Sequence, residues 1–395
     1  MRSPASAVKP SPVVLAAVIL VFALSAFAQN SSPLVAPPSA NSINMLVLGD
    51  SILWGQGLKD EHKSWYLVKA WLEGSNGIRV HETVVAHAGA VIGTAGEKPP
   101  QSLTLYGEVS SAWPTLHDQV DDALRAFADP AEVDVVLVDG CINDVNHRRF
   151  LNAANTTDDI KALAEEKCGA PVESLLARIA ASFPNAHIII SGYYPVVSEK
   201  TPSDLFMRAL AKRFYAASTP NSARPSGREL LKQLALVSAV WYEASNHSLM
   251  QAVANVNAQL SAKGSRQQVL FAKIPFQAEH AFAARDSRLW GFDATTLRKL
   301  LAVLTFGRVS LYANDEVRRQ RSSVCKDFFK KIPGETDQEK ATRKDHLLTC
   351  SLASIAHPNR KGAVMYAEAI KEQMQAFIRS PGWLRTTVVS GSNVP

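Results

Sequence analysis

The sequence predicts an α/β protein of three layers, in which a parallel sheet of about five strands lies between helices. Short, continuous apolar runs of strand length alternate with longer segments whose apolar residues recur at helical spacing. Strands that are apolar along their whole length are typical of a parallel sheet covered on both faces. Each intervening helix can cross over to the next parallel strand, which builds an α/β/α domain with right-handed crossovers.

Each predicted element follows from its own pattern. The predicted strands are, in chain order, Asn44–Leu48, Val80–Val85, Val133–Asp139, His187–Ser191 and Val269–Ala272. Helical periodicity predicts helices at Trp65–Glu73, Leu116–Ala128, Val172–Ser182 and Gly362–Phe377. Two stretches go beyond a minimal domain of this kind and are predicted to be insertions. The first, about 201–264, has a helical pattern broken by prolines; the second, about 277–351, is mixed and rich in aromatic residues.

The N-terminal segment has the pattern of a secretory signal peptide. Two basic residues precede an apolar run, Val13–Ala28, which ends in a small-x-small cleavage pattern. This predicts a signal peptide over 1–28 and a flexible leader over 29–42. An uncleaved anchor helix is the alternative, although the run is short for a membrane span. The predicted domain covers 43–380 and is followed by a polar tail, 381–395. The mature chain is thus predicted to be secreted or periplasmic, without a stable membrane span.

Composition narrows the classes of function. The chain has 395 residues and a formal net charge of +6, part of which belongs to the predicted signal peptide. So small a positive charge, without basic blocks that alternate with aromatic residues, argues against a nucleic-acid partner. The length allows one large domain or two smaller ones. The oligomeric state does not follow from the sequence.

Cysteine usage agrees with export. The chain has four cysteines, an even number, which suggests disulfides in an exported protein. Three pairings are open, as is the alternative of buried free thiols. Pairing of sequence neighbours would close two loops, one near Asn143 and one ahead of His357. The cysteines are Cys141, Cys168, Cys325 and Cys350. A zinc site is not indicated, because no two of them have Cys-x-x-Cys spacing.

Chemically useful residues follow the predicted strands. Ser51, in a Gly-Asp-Ser tripeptide, comes after the first strand, and Gly89 comes after the second. Asn143, in Gly-Cys-Ile-Asn-Asp, comes after the third, and His357 lies far downstream in Ala-His-Pro-Asn. Carboxyl ends of parallel strands meet at one edge of a sheet, where sites form. The first three motifs are therefore predicted to share a site.

These blocks, in this order, resemble the SGNH hydrolase family, also called GDSL esterases and lipases. The resemblance covers about 43–378 and implies a flavodoxin-like sheet and hydrolysis of acyl esters without a cofactor or metal. It implies that Ser51 is the nucleophile and His357 the base. The backbone N–H groups of Ser51 and Gly89 and the side-chain amide of Asn143 would form the oxyanion hole. The substrate would be a small-molecule, lipid or carbohydrate ester.

One position departs from the family pattern. The family usually has Asp three residues before the histidine, and this chain has Ser354. A neutral hydroxyl or a backbone carbonyl could orient the imidazole, or a carboxylate such as Asp286 or Asp345 could substitute from the second insertion. The departure also motivates a second hypothesis, a catalytically weak relative that binds glycans or lipids in the same cleft.

Overall fold

A parallel sheet of five strands lies at the centre of the computed structural model. In chain order the strands are β1 Ser42–Val47, β2 Arg79–Val84, β3 Val133–Val138, β4 His187–Ser191 and β5 Val269–Ala272. Their order across the sheet is β2-β1-β3-β4-β5, and all neighbouring pairs are parallel. This is the order of the flavodoxin-like doubly wound sheet. The predicted fold class is therefore confirmed.

The structure describes residues 42–93, 107–145, 147–213, 215, 225–293, 295, 311–331 and 333–378. The predicted signal peptide, nearly all of the predicted leader and the predicted tail lie outside these ranges. Pro220, one of the prolines in the first insertion, lies outside them as well. The domain and insertion boundaries stay predictions.

Helices cover both sides of the sheet. Those of the described residues are α1 Ser51–Trp54, α2 Ser64–Asn76, α3 Leu116–Ala126, α4 Ile142–Val145, α5 His147–Phe150, α6 Thr157–Cys168, α7 Ala170–Ser182, α8 Leu205–Arg213, α9 Gly227–Ala262, α10 Arg318–Phe328, α11 Asp337–Ser351 and α12 Arg360–Ile378. Helices α2 and α12 pack against each other, α2 on β2 and α12 on β4 and β5. Helices α6, α7 and α9 form a second group, in which α9 also contacts β5.

The core lies along the central strands. Every residue of β3 is buried, and β4 contributes the buried run Ile188–Ile190. Such strands need no polar face because helices shield both sides, which explains their largely apolar sequences. Asp134 in β3 is an exception, and its carboxylate accepts from the backbone N–H of Asn44 at 2.8 Å. The polar residues that carry chemistry are accordingly found beyond the strand ends.

The sequence did not predict helix α6. Its N-terminal signal is a capping box in which Thr156 accepts from the backbone of Asp159 and Asp159 accepts in return from the backbone of Thr156.

The first predicted insertion holds α8 and the 36-residue helix α9. Helix α9 begins just after Pro225, at a capping box made by Ser226 and Glu229. The second holds α10 and α11. Within the described ranges, no helix combines the length and apolarity that a membrane span requires.

Candidate active site

Ser51 lies in the turn beyond β1, as the first residue of the short helix α1. Gly49 has φ +142°, and a Cβ atom there would lie 1.9 Å from the Oδ1 atom of Asp139. Only glycine therefore fits this turn. Asp50 caps α1, because its side chain accepts from the backbone N–H of Ile52 at 2.9 Å. The turn fixes Ser51 at the carboxyl end of β1.

His357 meets Ser51 at this edge of the sheet. The Nε2 atom of His357 lies 2.7 Å from the Oγ atom of Ser51, which is hydrogen-bond distance. The Nδ1 atom faces the backbone carbonyl of Ile355 at 3.3 Å. With a proton on Nδ1, that nitrogen donates to the carbonyl, and Nε2 accepts from the serine hydroxyl. A nucleophile and a base are thus in reach of each other.

The turn that carries His357 is fastened to a neighbouring segment. The backbone N–H of Trp290 donates to the carbonyl of His357 at 2.7 Å, and that of Ala356 donates to the carbonyl of Trp290 at 2.9 Å. The Tyr194 hydroxyl donates to the carbonyl of Ala356 at 2.8 Å. Ala356 has φ +63°, a left-handed conformation that an alanine adopts only when its surroundings impose it. These bonds fix where the imidazole stands.

Gly89 lies in a tight turn beyond β2 and has φ +83°. A Cβ atom there would lie 2.5 Å from Oγ of Ser110 and 2.6 Å from the backbone N of Ser111, so the close approach requires glycine. Gly93, four residues further along the chain, donates its N–H to Asp144 at 3.3 Å. Among the described residues, no oxygen accepts from the backbone N–H of Ser51 or of Gly89. Both donors remain available to an oxyanion.

Asn143 lies in α4, beyond β3. Its side-chain amide donates to the carbonyl of Ala90 at 3.0 Å, which brings it to the Gly89 turn. The carboxylate of the neighbouring Asp144, also in α4, accepts from the backbone of Ile92 at 3.0 Å and of Gly93. The two blocks that follow β2 and β3 therefore touch.

Two buried polar residues that sequence reasoning missed hold the Ser51 turn. Asp139 accepts from the backbone N–H of Asp50 at 2.7 Å and of Leu53 at 3.0 Å. The side-chain amide of Gln119 accepts from the N–H of Gly49 at 2.8 Å and donates to its carbonyl at 2.9 Å. In the sequence, Asp139 is the last residue of a predicted apolar strand. A carboxylate at a position expected to be buried needs hydrogen-bond partners, and this could have marked Asp139 in advance. Gln119 gave no such signal within its helix.

The carboxyl groups beneath Ser51 are perturbed by burial. Desolvation raises the pKa of Asp50 to about 6. Desolvation, and after it the charge of Asp50, raises the pKa of Asp139 well above its ordinary value. Because two buried carboxylates repel each other, the pair favours states in which a proton is shared between them.

The four cysteines form two disulfides, Cys141–Cys168 and Cys325–Cys350, which is the pairing of sequence neighbours. The first ties the start of the Asn143 helix to the end of α6. The second joins α10 to α11 shortly before the His357 turn. No free cysteine occurs among the described residues.

Ser354 belongs to a buried ion cluster, here called the Arg321 cluster and made of Glu108, Asp315, Arg321 and Ser354. The hydroxyl of Ser354 donates to Asp315 at 2.6 Å, and its oxygen accepts from Arg321 at 3.1 Å. Arg321 also contacts Asp315 at 3.0 and 2.5 Å and Glu108 at 3.1 Å. Its side chain is 0% exposed. The position where a carboxylate was expected thus carries a hydroxyl bound to a different carboxylate.

The two carboxylates named as substitutes from the sequence both belong to the predicted second insertion. Asp286 is half-exposed and pairs with Arg288 at 2.7 Å and with Lys361 at 3.3 Å. Asp345 lies within α11. Sequence reasoning missed Asp315, which is 39 residues from Ser354 and has no local motif to mark it.

Aromatic side chains of the second insertion pack on one another and against the hydrophobic core. The rings of Phe282 and Phe292 are 6.1 Å apart, and Phe292 also meets Phe206 at 5.4 Å. Phe282 and Trp290 are buried. Phe282 belongs to the main hydrophobic core, and Phe206 and Phe292 pack against it. In the ranges that the structure covers, no three His, Cys, Asp or Glu side chains are grouped as a metal site would need.

Neither known family models nor curated proteins match the chain. Solved structures do share its fold distantly. A phospholipase A1 from Streptomyces albidoflavus is 14% identical over 64% of this chain and 88% of its own, with a TM-score of 0.37. An extracellular lipase from Streptomyces rimosus is 13% identical over 67% and 99%, with a TM-score of 0.38. A family 3 carbohydrate esterase from Clostridium thermocellum is 14% identical over 60% and 82%, with a TM-score of 0.32. Likeness this distant does not assign an activity.

Proposed function

We propose that this chain is an exported serine hydrolase of acyl esters, in keeping with its resemblance to the SGNH hydrolases. The observation that carries the proposal is the 2.7 Å contact between Oγ of Ser51 and Nε2 of His357. A serine hydroxyl is a weak nucleophile until a base in contact can take its proton. Available backbone donors at Ser51 and Gly89 supply the second requirement, a place for the oxyanion.

The reaction would proceed in two halves. Ser51 attacks the ester carbonyl while His357 takes the hydroxyl proton, and the carbonyl oxygen becomes an oxyanion. The oxyanion lies among the N–H groups of Ser51 and Gly89 and the amide of Asn143. Collapse breaks the ester C–O bond, and His357 gives its proton to the leaving alcohol. Water then attacks the acyl-serine with His357 again as base, which releases the acid and restores Ser51.

The carbonyl of Ile355 serves in this proposal where a carboxylate is usual. It accepts from Nδ1–H of His357, at 3.3 Å, and so favours the tautomer in which Nε2 accepts from Ser51. A carbonyl dipole stabilises the imidazolium less than a full charge does. We therefore expect a working Ser–His dyad whose turnover is modest.

Hydrolysis of p-nitrophenyl esters of increasing acyl length tests the proposal, with the mature chain and its Ser51→Ala variant side by side. Ser64→Ala is a matched control, because Ser64 is also a buried serine at the first position of a helix. We expect turnover in the parent and the control and none above background in Ser51→Ala. Equal turnover in Ser51→Ala and the parent would show that Ser51 is not the nucleophile. The acyl-length profile would begin to separate lipid from short-chain or carbohydrate esters.

A binding protein is the second candidate. It is favoured by one observation, that the hydroxyl of Ser354 donates to Asp315 where the family usually has a carboxylate for the histidine. A glycan- or lipid-binding cleft would need no proton transfer. It predicts that no ester is hydrolysed and that ligand binding survives Ser51→Ala.

A further inference from the structure

The Arg321 cluster lies between the two halves of the candidate site. Ser354 and the side chains of Arg321 and Asp315 are fully buried, and the side chain of Glu108 is nearly so. Taking such charges out of water costs several kcal/mol per ion, a cost that only close geometry offsets. Replacing a buried ion cluster with apolar residues is often neutral for stability. The cluster is therefore better explained by the orientation it imposes than by the stability it adds.

One side of the cluster holds the segment that follows Ser51. Glu108 accepts from the backbone N–H of Gly57 at 3.0 Å and from the side-chain amide of Gln56 at 2.8 Å. The backbone N–H of Gln56 in turn donates to the carbonyl of Ser51 at 2.9 Å. Glu108 is thus two hydrogen bonds away from the proposed nucleophile. The indole N–H of Trp54 also donates to Glu108, at 3.1 Å.

The other side of the cluster holds the turn that carries His357. Asp315 accepts from the hydroxyl of Ser354 at 2.6 Å. The carbonyl of Ser354 accepts from the backbone N–H of His357 at 3.0 Å. Arg321 adds a contact to the carbonyl of Ser351 at 3.4 Å. Asp315 is therefore linked to the turn that carries the imidazole through the Ser354 side chain and one backbone hydrogen bond.

The two sides meet directly at Gly57. Its φ is +86°, and a Cβ atom there would lie 2.8 Å from Cβ of Ser354 and 2.9 Å from Cβ of Asp315. Movement of the Asp315–Ser354 pair would therefore be transmitted to both loops. The separation of Ser51 from His357 depends on this contact staying fixed.

We infer that Asp315, held by Arg321, is a positioning residue that acts through Ser354 and sets the distance between His357 and Ser51. The inference rests on the proposed function, since positioning a base matters only if the base works. In this inference Asp315 supplies the carboxylate that the family usually has three residues before the histidine. Its carboxylate is hydrogen-bonded to the residue at that position, Ser354. Misplacing a reacting group by about 1 Å can cost roughly 10²-fold in rate.

Three variants and a control test the inference. Asp315→Asn removes the charge, and Ser354→Ala removes the link. A swap variant, Asp315→Ser with Ser354→Asp, keeps one carboxylate beside Arg321 but places it at position 354 instead of 315. The control is Glu335→Gln, because Glu335 forms a similar paired contact with Arg343, at 2.8 and 2.8 Å, ahead of α11. Each is assayed on a p-nitrophenyl ester, per folded molecule as judged by circular dichroism.

We expect kcat to fall roughly 10²-fold in Asp315→Asn and about 10-fold in Ser354→Ala, with KM within about twofold. The swap should recover most of the kcat lost in Asp315→Asn, and the control should match the parent. A residue that only stabilises the fold would change the folded fraction and leave kcat per folded molecule intact. Parental kcat per folded molecule in both Asp315→Asn and Ser354→Ala would overturn the inference.

Absence of esterase turnover in the parent protein would overturn the proposed function. Hydrogen–deuterium exchange would then test the positioning inference. Asp315→Asn should then speed exchange both at 354–358 and at 55–58, relative to Glu335→Gln. Faster exchange confined to α10 and α11 would overturn the inference, because the cluster would then hold only its own helices. The two failures are therefore distinguishable.

Discussion

Oγ of Ser51 and Nε2 of His357 lie 2.7 Å apart although 306 residues separate them in sequence. The contact joins the turn after β1 to the turn before α12. Neither turn is held by local sequence alone. Asp139 and Gln119 hold the first from the strand and helix beside it. Trp290 and, through Ser354, Asp315 hold the second from the predicted second insertion. The predicted second insertion therefore helps to hold the site in place.

Replacing the proposed base should nearly abolish turnover. In His357→Ala the Ser51 hydroxyl loses its proton acceptor, and general-base catalysis is worth about 10²–10⁴-fold. We expect kcat/KM on p-nitrophenyl acetate to fall within that range while the fold persists. His280→Ala is a suitable control, because His280 is only partly buried and lies in a short 3₁₀ turn. A His357→Ala variant with more than about a tenth of parental activity would remove His357 from the mechanism.

Adding one methyl group at Gly89 should damage the oxyanion site. Gly89→Ala forces a Cβ atom to 2.5 Å from Oγ of Ser110, so the turn must shift and its N–H must move. Losing one such donor costs roughly 10²–10³-fold in kcat. Gly77→Ala is a matched control, because Gly77 also has positive φ, +64°, but a Cβ there meets nothing within 4 Å.

The control should lose about 1 kcal/mol of unfolding free energy from backbone strain and keep its turnover. The measurements are kcat on a p-nitrophenyl ester and urea unfolding of both variants. If Gly89→Ala lost stability but kept parental kcat, the Gly89 N–H would have no part in catalysis.

Local patterns predicted the sheet well because burial on both faces leaves an unmistakable apolar run. Strand β4, His187–Ser191, begins and ends where the sequence predicted. The position of Ser51, Gly89 and Asn143 beyond the carboxyl ends of β1, β2 and β3 followed from parallel topology alone. Long-range polar pairing could not be predicted in this way. Arg321 and Glu108 are 213 residues apart, and neither has a motif that identifies its partner.

The two disulfides should stabilise the protein almost equally. Their sequence separations, 27 and 25 residues, give nearly the same loop-closure entropy, about 3–4 kcal/mol each in the chain-entropy model. We expect Cys141→Ser with Cys168→Ser, and Cys325→Ser with Cys350→Ser, to lower the urea-unfolding free energy by that amount. The first variant should also lose turnover, because Cys141 starts the turn into the Asn143 helix and has φ +114°. Stability losses that differ by more than about 2 kcal/mol would mean that native strain outweighs loop entropy.

The buried carboxyl of Asp50 should make stability depend on pH. Burial raises its pKa from 3.8 to about 6, so between these values the folded state keeps a proton that the unfolded state has lost. Stability from this group is therefore greatest at low pH, falls as the pH rises through the window and is lost above about pH 6. Asp50→Asn removes the titration and keeps an oxygen for the N–H of Ile52.

We expect the urea-unfolding free energy of Asp50→Asn, relative to the parent, to rise as the pH increases from 3.8 to about 6. The matched control is Asp129→Asn, because Asp129 is an exposed N-cap whose side chain accepts from the N–H of Ala131 at 2.9 Å. The same rise in that control would show that burial is not the cause. A relative stability of Asp50→Asn that stays flat or falls across the window would mean that Asp50 is ionised in the folded protein at low pH, with Asp139 holding the proton of the pair.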